Sequence, residues 1–239
     1  MFSIFKKEIN TFFASSIAYL VIGTFLLING LFLWVFRGDF NILEAGFADL
    51  NAFFFITPWF FIFLIPAITM RSFSDEMRLG TIEILKTKPI TNWQIVMGKY
   101  ASAVLLIIIA LIPTAVYIYS VFKLGNPVGN LDWGSTIGSY IGLVLLGASF
   151  TAIGICTSTL SGNQIIAFLF GVILSYLLYA GFDALQEIDF LGLDFLANIG
   201  MKGHFESISR GVIDTRDVFY FVCVIYFFLA LTKLNVDKK

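Results

Sequence analysis

The chain is 239 residues long, 59% hydrophobic and 13% charged, with a formal net charge of −1. Soluble domains carry about 25% charged residues, so this composition excludes an ordinary water-soluble fold. The near-neutral balance also offers no basic face for nucleic acid. Six apolar stretches of roughly bilayer length occupy so much of the chain that residues 1–239 read as a single all-α transmembrane domain.

The first fifteen residues precede the first apolar stretch. Phe2, Phe5, Ile9 and Phe12 recur at helical spacing with Phe13 beside them, while Lys6, Lys7 and Asn10 lie off that face. This predicts an interfacial amphipathic helix; Ile4 is the one residue that breaks the pattern. Lys6 and Lys7 before an apolar run resemble a signal peptide. However, the run is too long and no small-residue cleavage site follows it, so it is expected to be a retained first span.

The spans are expected at about Ser16–Phe36, Ala52–Thr69, Gly98–Phe122, Ser135–Leu160, Gln164–Phe182 and Val218–Thr232. Their interiors read as free of ionisable residues, Lys99 at the mouth of the third being counted with the loop beside it. That disfavours proton relay and voltage sensing, which need charges within the helices. Cys156 and Cys223 both fall inside spans and are expected to be packing residues. The fourth span is rich in small residues, and Gly138 and Gly142 form a small-xxx-small pair that lets another helix approach closely. The pattern does not say whether that helix belongs to this chain or to another.

Placing both termini in the cytoplasm divides the 15 lysines and arginines ten inside and five outside, the direction the positive-inside rule requires. The cytoplasmic set is Lys6, Lys7, Arg71, Arg78, Lys86, Lys88, Lys99, Lys233, Lys238 and Lys239.

Two connections are too long for simple turns. Residues 70–97 form a charged cytoplasmic insertion. Ser72 or Ser74 is suited to cap a helix there, with Asp75 and Glu76 in its first turn and Lys86 and Lys88 near its far end. Pro89 ends that helix, and Thr91 or Asn92 caps the next. Gly80, which costs about 1 kcal/mol inside a helix, marks a bend or a close contact. The insertion reads either as a connector resting on lipid headgroups or as a helix that docks into a groove on a soluble partner. Residues 183–217 form the second long connection, on the outer side. Leu185, Ile188, Leu191, Phe195 and Ile199 recur at helical intervals there, which suits re-entrant helices and surface-lying ones equally.

No phosphate-cradling loop, no HExxH and no Cys/His cluster occurs in the chain, and His204 is its single histidine. No catalytic, cofactor or metal residues are therefore assigned.

The run Glu76, Arg78, Gly80, Thr81, Glu83, Leu85, Pro89, Ile90, Gly98 and Lys99 resembles the motif between the second and third helices of ABC transporter permeases of the type-2 exporter family. The stretch His204, Phe205, Ile208, Gly211, Val212, Asp214 and Asp217 resembles the segment before that family's last helix. Within the family, the likeness is to the gliding-motility-associated permease subunits of Bacteroidota. The resemblance implies a six-helix permease of the bacterial inner membrane, with the segment at 70–97 as the coupling helix. Glu76, Arg78, Gly80, Thr81, Glu83, Ile84, Leu85, Lys86 and Pro89 would face a separate ABC ATPase subunit, which binds ATP and magnesium. Residues 1–15 would be the connecting helix, and His204, Phe205, Ile208, Gly211 and Asp214 would belong to a re-entrant outer gate. A second permease half, identical or related, would complete the unit, and the activity would be export linked to gliding motility. The alternative is a non-transporting membrane scaffold for a motility or secretion machine.

Overall fold

A computed structural model describes residues 1–86, 89–186 and 199–238, and every regular element among them is helical. The expectations for Lys88, Ile188, Leu191 and Phe195, and for the side chains of Ile84, Leu85, Lys86 and Leu185, lie outside the described residues.

Helix α1 (Phe2–Ala14) is followed by α2 (Ser16–Gly30), which runs on through a π-helical turn at Leu31–Val35. Helix α3 (Asn51–Thr69) continues as α4 (Arg71–Arg78), and a sharp turn leads to the short α5 (Thr81–Lys86). Next come α6 (Asn92–Leu111), a 3-10 turn at Ile112–Thr114 and α7 (Ala115–Leu124). The remaining helices are α8 (Trp133–Ser158), α9 (Gln164–Tyr176), α10 (Phe182–Gln186), α11 (Met201–Ser209) and α12 (Thr215–Asp237). Six stretches are long and apolar enough to cross a membrane: Ser16–Val35, Asn51–Arg78, Asn92–Leu124, Trp133–Ser158, Gln164–Ala184 and Thr215–Asp237. The protein is a multi-pass, all-α membrane protein.

Ties between elements show that successive spans run in opposite senses. At one end, here called basal, Asn92 bonds Asp237, Asn235 donates to Thr159 at 3.0 Å and Gln164 donates to Asp75. At the other, distal end, Phe122 packs on Trp133 and Ser135 donates to the Ser209 carbonyl. Helix α8 lies at the centre, with every residue from Leu146 to Ser158 buried. Its small residues allow this. A Cβ on Gly154 would sit 2.1 Å from Thr69 Oγ1 of α3, and one on Gly147 would lie 3.2 Å from Ile107 and 3.3 Å from Phe61. Buried hydroxyls in the spans bond back to carbonyls one turn earlier, as Thr57, Thr69, Thr151 and Thr232 do. A polar side chain is thereby satisfied without a partner helix.

Helix α1 buries Ile4, the residue outside its amphipathic pattern, together with Glu8, and leaves Phe2 75% exposed. Two expectations are corrected. First, the spans are not free of buried charge: Lys99 of α6 and Asp217 of α12 are both buried. Second, Cys156 is buried as expected, whereas Cys223 is exposed on the flank of α12.

Candidate functional site

The basal turn is built by a helix that fails to stop where the serines suggested. Met70 keeps helical dihedrals (φ −53°, ψ −30°), and no side chain caps α4. The Ser74 hydroxyl instead bonds back to the Met70 carbonyl, and Ser72 is buried in the helix. Asp75 and Glu76 consequently lie in the second half of an eight-residue helix, not at the start of a new one. The chain reverses only at Leu79–Gly80, where the Leu79 amide bonds the Asp75 carbonyl at 2.9 Å and Gly80 adopts φ +68°. Glycine is the usual residue for this left-handed position after a helix. Thr91 then starts α6 through a reciprocal capping box with Gln94.

The turn presents a compact surface. Ile82 is 7% exposed and pins α5 to the body, while Thr81 and Glu83 face outward. Leu79 is 68% exposed at the tip, among charged neighbours. Sequence reasoning passed over it because it falls between the motif residues Arg78 and Gly80. Arg78 pairs with Asp75 at 3.0 Å, so both charges are engaged beside the tip.

Glu76 faces inward. Lys99, 2% exposed, places Nζ 3.0 Å from Glu8 Oε1, 3.0 Å from Glu76 Oε1 and 2.6 Å from the Ser72 carbonyl, with the Phe73 ring 5.0 Å away. Lys7 joins at 3.2 Å from Glu76 and 3.5 Å from Glu8. Two cations and two carboxylates thus balance in a water-poor setting, which a lone buried charge could not do. Burial pulls the Lys7 ammonium down, but the carboxylates of Glu8 and Glu76 outweigh it and leave its pKa raised. Next in sequence, Gly98 lets α1 approach: a Cβ there would be 3.0 Å from Ile4 and 3.3 Å from the Met1 carbonyl oxygen. Gly98 and Lys99 together therefore fasten α1 and α4 to α6. The cue in the sequence was a lysine heading an apolar run, but its counter-ions lie far away along the chain.

The distal cluster is built by close backbone approach. Residues Gly211, Ile208 and Phe205 meet Gly134, Gly138 and Gly142 in turn, so α11 runs antiparallel to α8. A Cβ on Gly138 would sit 2.5 Å from the Ile208 carbonyl oxygen, and one on Gly142 would sit 3.0 Å from the Phe205 ring. The small-residue pair in the fourth span is thus occupied by a helix of this same chain. Gly142 is nine residues into α8, about 14 Å along it at 1.5 Å per residue. Helix α11 therefore lies beside the outer turns of the bundle, with Met201, Phe205 and Ile208 buried.

Ser135 and Ser139 both donate to the Ser209 carbonyl, at 2.8 and 3.4 Å. Gly211 has φ +88° and closes the turn against Gly134. Asp214 caps α12 by accepting from the Arg216 amide at 2.9 Å. His204 Nδ1 lies 2.7 Å from Asp217 Oδ1, and its ring stacks on Tyr220 at 3.9 Å. His204, Phe205, Ile208, Gly211 and Asp214 thus fall in one assembly with Gly138 and Gly142; Asp217, from the same stretch, joins it through His204, and Tyr220 is its unforeseen member.

A family model described as ABC-2 family transporter protein matches residues 2–188, from α1 through α10. No curated protein matches the chain at a significant level.

Proposed function

Because this chain belongs to the ABC-2 transporter family and is a membrane permease subunit by that membership, we propose that its basal turn couples it to an ABC ATPase on a separate chain. ATP and magnesium would bind there, and this chain would contribute no catalytic group. The observation that carries the reading is the exposed Leu79 at the tip of a helix continuous with the second span. A partner that grips Leu79, Thr81 and Glu83, with Ile84 and Leu85 of the same short helix, pushes directly on α3. Buried apolar anchors ringed by polar contacts carry most of the energy in such interfaces.

The clamp of Lys99, Glu8 and Glu76 supports the transmission step. It joins α1, α4 and α6, so a displacement of the turn moves three elements together and tilts the bundle as a body. Two such halves, identical or related, would enclose the pathway. The basal end would face the cytoplasm, as the basic residues gathered there favour, and the membrane would be the bacterial inner membrane. At the distal end, α11 would close the pathway, with its Gly138 and Gly142 contacts as the seat. Export, and its link to gliding motility, rest on the resemblance of the 76–99 and 204–217 stretches.

The test is purification of the tagged native protein in mild detergent, with mass spectrometry of its companions. The expected result is a stoichiometric ABC-type ATPase that is lost in Leu79→Asp and in Leu85→Asp, while both variants still insert. A second six-span chain in the sample would make the unit a heterodimer. Recovery without an ATPase, under conditions that preserve a known ABC complex, would overturn the coupling reading.

A further inference from the structure

At the basal end, a cavity of about 240 Å³ opens between α1, the start of α2 and the α3–α4 helix. It lies where the charged end of the molecule gives way to its apolar body. Phe12, Ile17 and Ile68 line it together with charged residues of α1, α4 and α6. Arg71 at the mouth is exposed and makes no ion pair among the described residues. Lys7, with a side chain 56% exposed, presents its ammonium nearby.

Acceptors are also left over. Among the described residues, Asp75 bonds through Oδ1 alone, to Arg78 and Gln164, and Glu76 Oε2 is buried without a hydrogen-bond partner. Such an orphaned carboxylate oxygen is costly unless something supplies a donor. The lining contains Lys7, Arg71 and Lys99 against Glu8, Asp75 and Glu76, three charges of each sign. Lys7 and Lys99 are already answered by Glu8 and Glu76, and Asp75 by Arg78; what is left over is the Arg71 guanidinium on one side and carboxylate oxygens that lack donors on the other, and a zwitterion with N–H groups answers both.

From this lining we infer that the cavity binds the headgroup of a phospholipid carrying a phosphate ester and a primary ammonium. The phosphate lies against Arg71 and Lys7, and the ammonium donates to Asp75 and, after a small turn of its side chain, to Glu76. The first acyl carbons follow Phe12, Ile17 and Ile68 toward the bilayer. A quaternary ammonium has the charge but no N–H to donate, and a glycerol headgroup has no cation.

The experiment is thermal unfolding of the delipidated full chain in neutral detergent, with added phosphatidylethanolamine, phosphatidylcholine, phosphatidylglycerol or soluble phosphoethanolamine. The expected result is the largest rise in midpoint with phosphatidylethanolamine. Arg71→Ala and Asp75→Asn should each abolish its advantage over phosphatidylcholine. Arg71→Ala, which breaks no ion pair among the described residues, should keep a lipid-free midpoint close to that of Arg37→Ala, a control at the distal end; Asp75→Asn, which also gives up its pair with Arg78, is read against Arg78→Ala. Equal responses to phosphatidylethanolamine and phosphatidylcholine, or a preference for phosphatidylglycerol, would overturn the headgroup assignment. A full shift from soluble phosphoethanolamine would overturn the lipid as the source. Preference retained in both variants would overturn the site.

Discussion

The two ends of this bundle are held by opposite means. The basal end is fastened by charge: Lys99 draws Glu8, Glu76 and the Ser72 carbonyl to one ammonium. The distal end is fastened by the absence of side chains: Gly138 and Gly142 let α11 lie almost on the backbone of α8. A buried charge cluster is stiff but depends on every member, since removing one strands its partners. A glycine seat depends on shape alone and can be left and re-entered without stranding a charge. The first arrangement suits a part that must transmit a displacement, and the second suits a part that must open.

Four substitutions break or sharpen this contrast. Lys99→Met should have the largest effect, roughly 3–5 kcal/mol of stability, because it leaves Glu8 and Glu76 facing each other with only the half-exposed Lys7 to answer both. Thermal unfolding in detergent checks it, and adding Glu8→Gln and Glu76→Gln should restore much of the loss. Gly138→Ala should cost about 1–3 kcal/mol by overpacking against the Ile208 carbonyl. Its cost should fall on α11, and it is read as faster trypsin cleavage after Arg210 in otherwise folded protein. Asp217→Asn weakens the tie between α11 and α12 and should cost about 1–2 kcal/mol. It should likewise loosen the distal end while leaving the buried basal Lys99 protected from amine labelling. The smallest effect, about 1 kcal/mol, is expected of Thr91→Ala, which removes the cap of α6. A uniform loss of stability from all four, with no difference in which end becomes labile, would remove the basis for treating the ends as distinct.

Much of the architecture was legible in the residues. The six spans follow from hydropathy alone, and the bend at Gly80 and the cap at Thr91 follow from turn and capping chemistry. The packed interior of the fourth span was visible in its glycines, although its partner, α11, was not. The errors have separate causes. Hydropathy reports whether a residue avoids water, and it is blind to whether that residue meets lipid or protein. Cys223 therefore looked like a packing residue, when it is exposed on the flank of α12. Lys99 looked like a boundary residue because its counter-ions come from α1 and α4, and pairing across the chain leaves no local pattern. Ser72 and Ser74 looked like caps because serine favours helix starts, but inside a helix the hydroxyl can bond back to the previous turn.

The central claim is that an ATPase engages the basal turn and not the distal end. The most direct test is cysteine cross-linking in native membranes, in a Cys223→Ser background, comparing Leu79→Cys with Val212→Cys. Val212 is 71% exposed at the distal end, close to the 68% of Leu79. The account predicts an adduct between Leu79→Cys and an ABC-type ATPase, whose yield changes when ATP is added, and none from Val212→Cys. No ATPase adduct from Leu79→Cys, or equal adducts from both positions, would contradict it.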